Sequence, residues 1–170
     1  MKLWDKGYSE DERIDRFTVG RDRELDLHLA PFDVLGTMAH ITMLETIGLL
    51  EKSELDALLK ELKAIYKTAE EGKFGIEDVH SQVELMLTRR LGDIGKKVHS
   101  GRSRNDQVLL DLKLYIRAQI EDLVGRVSKL FDTLQSQSEK YKDILIPGYT
   151  HLQVAMPSSF GLWFGAYAES

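Results

Sequence analysis

The chain has 170 residues, of which 42% are apolar and 30% charged, and a formal net charge of −5. This balance excludes a disordered polymer and a general nucleic-acid binder, which would be basic overall. Cysteine is absent, which removes disulfides and thiolate metal sites and fits a reducing compartment.

The first residues, Met1-Lys2-Leu3-Trp4-Asp5-Lys6, carry charge where a signal peptide would place its apolar core, so the chain reads as soluble and cytoplasmic. From about Phe32 to Leu50, Phe32, Leu35, Met38, Ala39, Thr42, Met43 and Ile47 recur at helical spacing behind Pro31, predicting a first core helix. Ser53-Glu54-Leu55-Asp56 resembles a capping box with Asp in place of Glu. It introduces the stripe Leu55, Leu58, Leu59, Leu62, Ile65 and Tyr66, which ends before Gly72. A third helix follows Glu77-Asp78, with Val79, Val83, Met86, Leu87 and Leu91 on one face and Arg89, Arg90 and Gly92 at its end.

Next comes His99-Ser100-Gly101-Arg102-Ser103-Arg104-Asn105-Asp106-Gln107, which gathers hydroxyls, two guanidinium forks and an amide around a glycine. Gly101 would let backbone approach a ligand, and Arg102 and Arg104 match carboxylate or phosphate geometry. A helix starting near Asn105 would add free N–H groups and its positive dipole end. The alternative is a solvated loop with Asn105 or Asp106 as N-cap. Val108, Leu112, Tyr115, Ile116, Ile120, Leu123, Val127, Leu130, Phe131 and Leu134 then hold one apolar seam over roughly eight turns. A helix of that length belongs in a bundle and needs partners from elsewhere in the chain or from other subunits.

Pro147-Gly148-Tyr149-Thr150-His151-Leu152-Gln153 places a turn signal beside a hydroxyl, an imidazole and an amide. His151 reads either as an acid or base or as a histidine stapling a loop, and His80 as a helix-start residue oriented by Asp78 or Glu84. His28, His40 and His99 read as structural. No ligand spacing for a metal occurs, so no metal is expected. Pro157 is placed to start another helix, in which Gly161 and Gly165 have the spacing of a close helix contact, and the chain is expected to stop mid-helix at Ser170. With only three prolines interrupting a helical period, the fold class is all-α.

The runs 99–107 and 148–153 are similar to the first two signatures of the argininosuccinate lyases, within the fumarase/aspartase superfamily. The resemblance extends through Glu77-Asp78-Val79-His80, Gly92-Asp93-Ile94-Gly95 and the stretch from Asp33 to His40, covering most of the chain from about Phe32 onward. It implies an N-terminal helical domain over 1–104 and the first long helices of a truncated central bundle over 105–170. The implied activity is reversible elimination of argininosuccinate to arginine and fumarate, in arginine biosynthesis, without a metal or other cofactor. Ser103, Arg104, Asn105 and Thr150 would hold carboxylates, His151 would act in proton transfer, and His80 would support the site. The implied assembly is a homotetramer whose active sites are shared between subunits, with no nucleic acid or membrane as partner.

Two departures stand against the family pattern. A third signature, the serine-bearing loop Gly-Ser-Ser-x-Met-Pro-x-Lys-x-Asn, is absent from these 170 residues, so the piece alone is expected to be inactive. Near the start, Trp4 is followed by Asp5-Lys6-Gly7-Tyr8, and Gly20, with Thr18 close by, stands where a substrate-contacting serine is expected. The alternatives are a non-catalytic, crystallin-like structural protein and a related lyase acting on a different succinyl adduct.

Overall fold

The computed structural model describes residues 11–70 and 78–170, except for the side chains of Glu12, Asp15, Arg23 and Glu70. The charged N-terminus with Trp4, the Gly72 stop signal and the acidic Glu77 lie outside the described residues. The backbone is helical apart from one ribbon: α1 (Glu12–Val19), α2 (Asp22–Leu25), α3 (Ala30–Thr46), α4 (Lys52–Glu70), α5 (Val79–Leu91), α6 (Asp93–Lys96), α7 (Arg104–Lys140), β1 (Leu145–Thr150), β2 (Gln153–Ser159) and α8 (Phe160–Glu169). Short 3-10 turns at Asp26–His28 and Lys97–His99 precede α3 and the loop before α7. The chain forms two compact units, Met1–Ile116 and Arg117–Ser170.

In the first unit α3, α4 and α5 close around Val34, Ile41, Leu44, Leu58, Leu62, Ile65, Val83 and Leu87, with Val98 packed against them. Each fully buried aliphatic side chain contributes about 2 kcal/mol of apolar transfer. Pro31 lies in the first turn of α3, where its missing N–H costs nothing. The buried face of α3 is not the predicted one: Asp33, Val34, Thr37, Ile41 and Leu44 point inward, whereas Leu35, Met43 and Ile47 are exposed. This helix is apolar around most of its circumference, so periodicity alone picks either face.

The start of α4 also differs from the expected box. Glu54 Oε2 accepts the Glu51 N–H at 3.0 Å, the return half of a capping box two residues upstream of Ser53. α5 begins where predicted, with the Asp78 carboxylate accepting the Ser81 N–H at 2.7 Å.

In the second unit β1 and β2 pair antiparallel, with Pro147 opposite Pro157 and Thr150 opposite Gln153. Pro157 therefore starts no helix; a two-stranded ribbon has two free edges and tolerates proline in both strands. α8 begins instead at Phe160, with Ser159 Oγ accepting the Leu162 N–H at 3.1 Å. Gly161 does make the expected close contact: a Cβ there would lie 2.5 Å from the Lys142 Cα. Along α7, Ile120, Leu123, Val127, Leu130 and Phe131 stay exposed, as a bundle helix without its neighbours should. Among the described residues no helix is long and apolar enough to cross a membrane.

Candidate active site

The opening of α7 is built by its own side chains. Ser103 Oγ accepts the Asp106 N–H at 3.4 Å while Asp106 Oδ2 accepts the Ser103 N–H at 2.7 Å, a reciprocal cap. Ser103, rather than Asn105 or Asp106, is thus the N-cap. Asn105 is exposed in the first turn, beside the positive end of a 37-residue helix. Gly101 has φ +73° with open space around it, so its role is a left-handed turn rather than a close approach.

The two arginines are anchored in the protein. Arg104 pairs with the Asp78 carboxylate and donates to Ser81 Oγ at 3.1 Å; Arg102 donates to Thr37 Oγ1 at 3.0 Å. Burial acts to raise the Asp78 carboxyl, but the Ser81 backbone and hydroxyl and the Arg104 guanidinium together bring it below its usual range. The loop is also tied to α3, since His40 Nε2 donates to the Ser100 carbonyl at 2.9 Å. Burial pulls the His40 imidazole down, which suits this neutral, structural contact.

Behind the loop lies a buried polar cluster. Asp33 Oδ1 accepts from His80 Nδ1 at 2.9 Å and from Gln107 Nε2 at 3.0 Å, and Asp111 Oδ2 stands 3.6 Å from the same imidazole nitrogen. The partner of His80 is therefore Asp33 on α3, not Asp78 or Glu84, because Asp78 is turned toward Ser81 and Arg104. Gly36 lets α7 close on α3 here: a Cβ at that position would lie 2.8 Å from Leu110 Cδ2. Burial and the nearby Asp33 charge push the Asp111 carboxyl up to about 7, against His80 and Arg102. Asp33, His80 and Asp111 can each offer one ligand atom within 4.8 Å of the others, the set best placed to hold a cation among the described residues. The Nδ1–H directed at Asp33 and the positive charge of Arg102 oppose such an ion.

The structure thus brings Ser103, Arg104 and Asn105 onto one helix turn, with Arg104 linked through Asp78 and Ser81 to the start of the helix that carries His80. Thr150 and His151 belong to the second unit. There, His151 and Leu152 form the two-residue tip of the ribbon with φ +48° and +64°, the pattern of a type I′ turn normally filled by Asn and Gly. Two non-glycine residues in the left-handed region, both exposed, are backbone strain of the kind that collects at functional sites. Sequence reasoning missed Asp33, Thr37, Gln107 and Asp111 as members of the cluster. The available signal was polar side chains on the apolar side of a helix, with Gln107 and Asp111 one turn apart.

Residues 8–170 match the family described as lyase. The argininosuccinate lyase of Parabacteroides distasonis is 72% identical over 174 aligned positions, covering 100% of this chain and 39% of that protein. The namesake from Methylococcus capsulatus is 42% identical, covering 99% of this chain and 37% of its own length. The chain therefore spans about two fifths of the curated relatives it matches. In fold it is similar to a variant of EDDS lyase with bound fumarate, with a TM-score of 0.69 at 22% identity over 96% of this chain and 33% of that one. It also resembles the β-carboxy-cis,cis-muconate cycloisomerase of Acinetobacter calcoaceticus, with a TM-score of 0.66 at 20% identity over 92% of this chain and 37% of that one.

Proposed function

Since the chain belongs to the lyase family, we propose that the complete protein is an argininosuccinate lyase, eliminating fumarate reversibly from argininosuccinate to leave arginine, as a step of arginine biosynthesis in the cytoplasm. The observation that carries this reading is the 72% identity, across the whole chain, to a relative of that name. In this reading residues 1–104 form the N-terminal helical domain and 105–170 the start of the central bundle.

The chemistry asks for three things: a base for the proton beside a carboxylate, donors for the negative charge that develops, and an acid for the leaving guanidino nitrogen. Ser103 and Asn105, at the positive end of α7, supply donors for the succinyl carboxylates, with Arg104 adding charge from its anchored position. Thr150 positions substrate, and His151 on the strained ribbon tip moves the proton. His80 supports the site through Asp33. No metal or organic cofactor enters the scheme.

The exposed seam of α7 supports a homotetramer in which each site draws on several subunits. The 170 residues alone, without the serine-bearing loop, are inactive in this scheme. The test is fumarate release from argininosuccinate by the full-length protein and by this chain, with adenylosuccinate and aspartate assayed alongside. Turnover by full-length protein that survives His151→Ala would sink the assigned role, and preference for another substrate would favour the related-lyase reading that Gly20 leaves open.

A further inference from the structure

Asp111 lies outside every signature in the sequence, yet it is 1% exposed, and neither of its carboxylate oxygens has a hydrogen-bond partner among the described residues. Asp33 Oδ2 and Gln107 Oε1 are buried and unpartnered in the same way, against a single unpartnered buried donor, Arg102 Nε. The cluster thus holds more acceptors than donors, a surplus that calls for a proton or a cation. The charged and titratable groups acting on Asp111 are Asp33 from α3, His80 from α5, Arg102 from the loop and Asp26 from the turn before α3.

His80 Nδ1 stands 2.9 Å from one carboxylate and 3.6 Å from the other. Two ionised carboxylates so placed would set two negative charges against one ring nitrogen that has a single N–H to give. A neutral acid at Asp111 leaves that N–H to Asp33, the nearer of the two. Asp33 alone then accepts the hydrogen bond from the Nδ1–H, and its charge faces that of Arg102.

We propose that Asp111 is a positioning residue acting through His80: held as a neutral carboxylic acid, it keeps the imidazole neutral with its proton on Nδ1 and leaves Nε2 as an acceptor. Its catalytic meaning rests on the lyase reading; its acid–base content does not.

The test is two-bond nitrogen–proton NMR on the 170-residue chain labelled in histidine nitrogen, between about pH 6 and pH 9. The expected result is a protonated Nδ1 and an acceptor-type Nε2 on His80 at the acid end, with an inflection in both shifts near 7 as Asp111 ionises. Asp111→Asn, neutral at every pH, should keep the tautomer and lose the inflection. A wild-type His80 found as imidazolium through neutral pH, or with the proton on Nε2, overturns the proposal without any variant having to fold. So does a rise in melting temperature with zinc or manganese that Asp111→Asn abolishes, which would assign the cluster to a cation. In the full-length protein Asp111→Asn should remove the same inflection from the pH profile of kcat, with KM changed by less than about twofold. An intact NMR pattern in a full-length protein that forms no fumarate discards the lyase reading and upholds the action of Asp111 on His80.

Discussion

Asp33 accepts from two buried donors with one oxygen, so removing its carboxylate strands both His80 Nδ1 and Gln107 Nε2. Asp33→Ala should therefore destabilise the first unit by about 3 kcal/mol, read by denaturant unfolding. Asp111 works in the opposite sense. Its carboxyl sits at about 7 in the folded protein against 3.8 unfolded, so the unfolded chain gives up this proton first as pH rises. Its contribution to stability falls between those two values and is constant above about 7. Asp111→Asn should consequently melt higher than wild type at pH 8, with the gap closing as pH falls toward 4, a trend that thermal scans at four or five pH values would check. These residues were the least legible part of the site. Ser103, Arg104 and Asn105 stood out as a run of donors, whereas Asp33 and Asp111 are separate acidic residues on different helices, α3 and α7, and their meeting depends on how those helices pack.

At the level of elements, the ribbon holds Leu152 at φ +64°, where only glycine is free of strain. Leu152→Gly should stabilise the second unit by about 1 kcal/mol, visible as a higher melting temperature. Gly161→Ala should do the reverse, since the added Cβ meets the Lys142 backbone at 2.5 Å, and lose about 2 kcal/mol of the packing between α8 and the end of α7. Helix existence was readable wherever caps and period agreed: α5 with Asp78 and Gly92, and α7 from its seam. What escaped was the choice of face on α3, apolar nearly all round, and the ribbon, whose prolines read as a turn and a helix start. Pairing between β1 and β2 leaves no periodic mark in six or seven residues of mixed polarity.

For the whole molecule, the exposed line from Ile120 to Phe131 is a large apolar surface, and the tetramer proposed above is what would cover it. Leu123→Glu with Leu130→Glu should shift sedimentation toward monomer and leave the helical circular dichroism of the first unit in place. The hydrogen bonds that Asp33 accepts from His80 and Gln107 span 47 and 74 residues of chain. Contacts of such separation carry the largest loop-closure cost and are the slowest to be made, whereas each helix forms from its nearest neighbours. During refolding, helical signal should therefore return before the environment of His80 does, so a chain emerging from the ribosome would pass through a stage that already has its scaffold but has no acid–base chemistry.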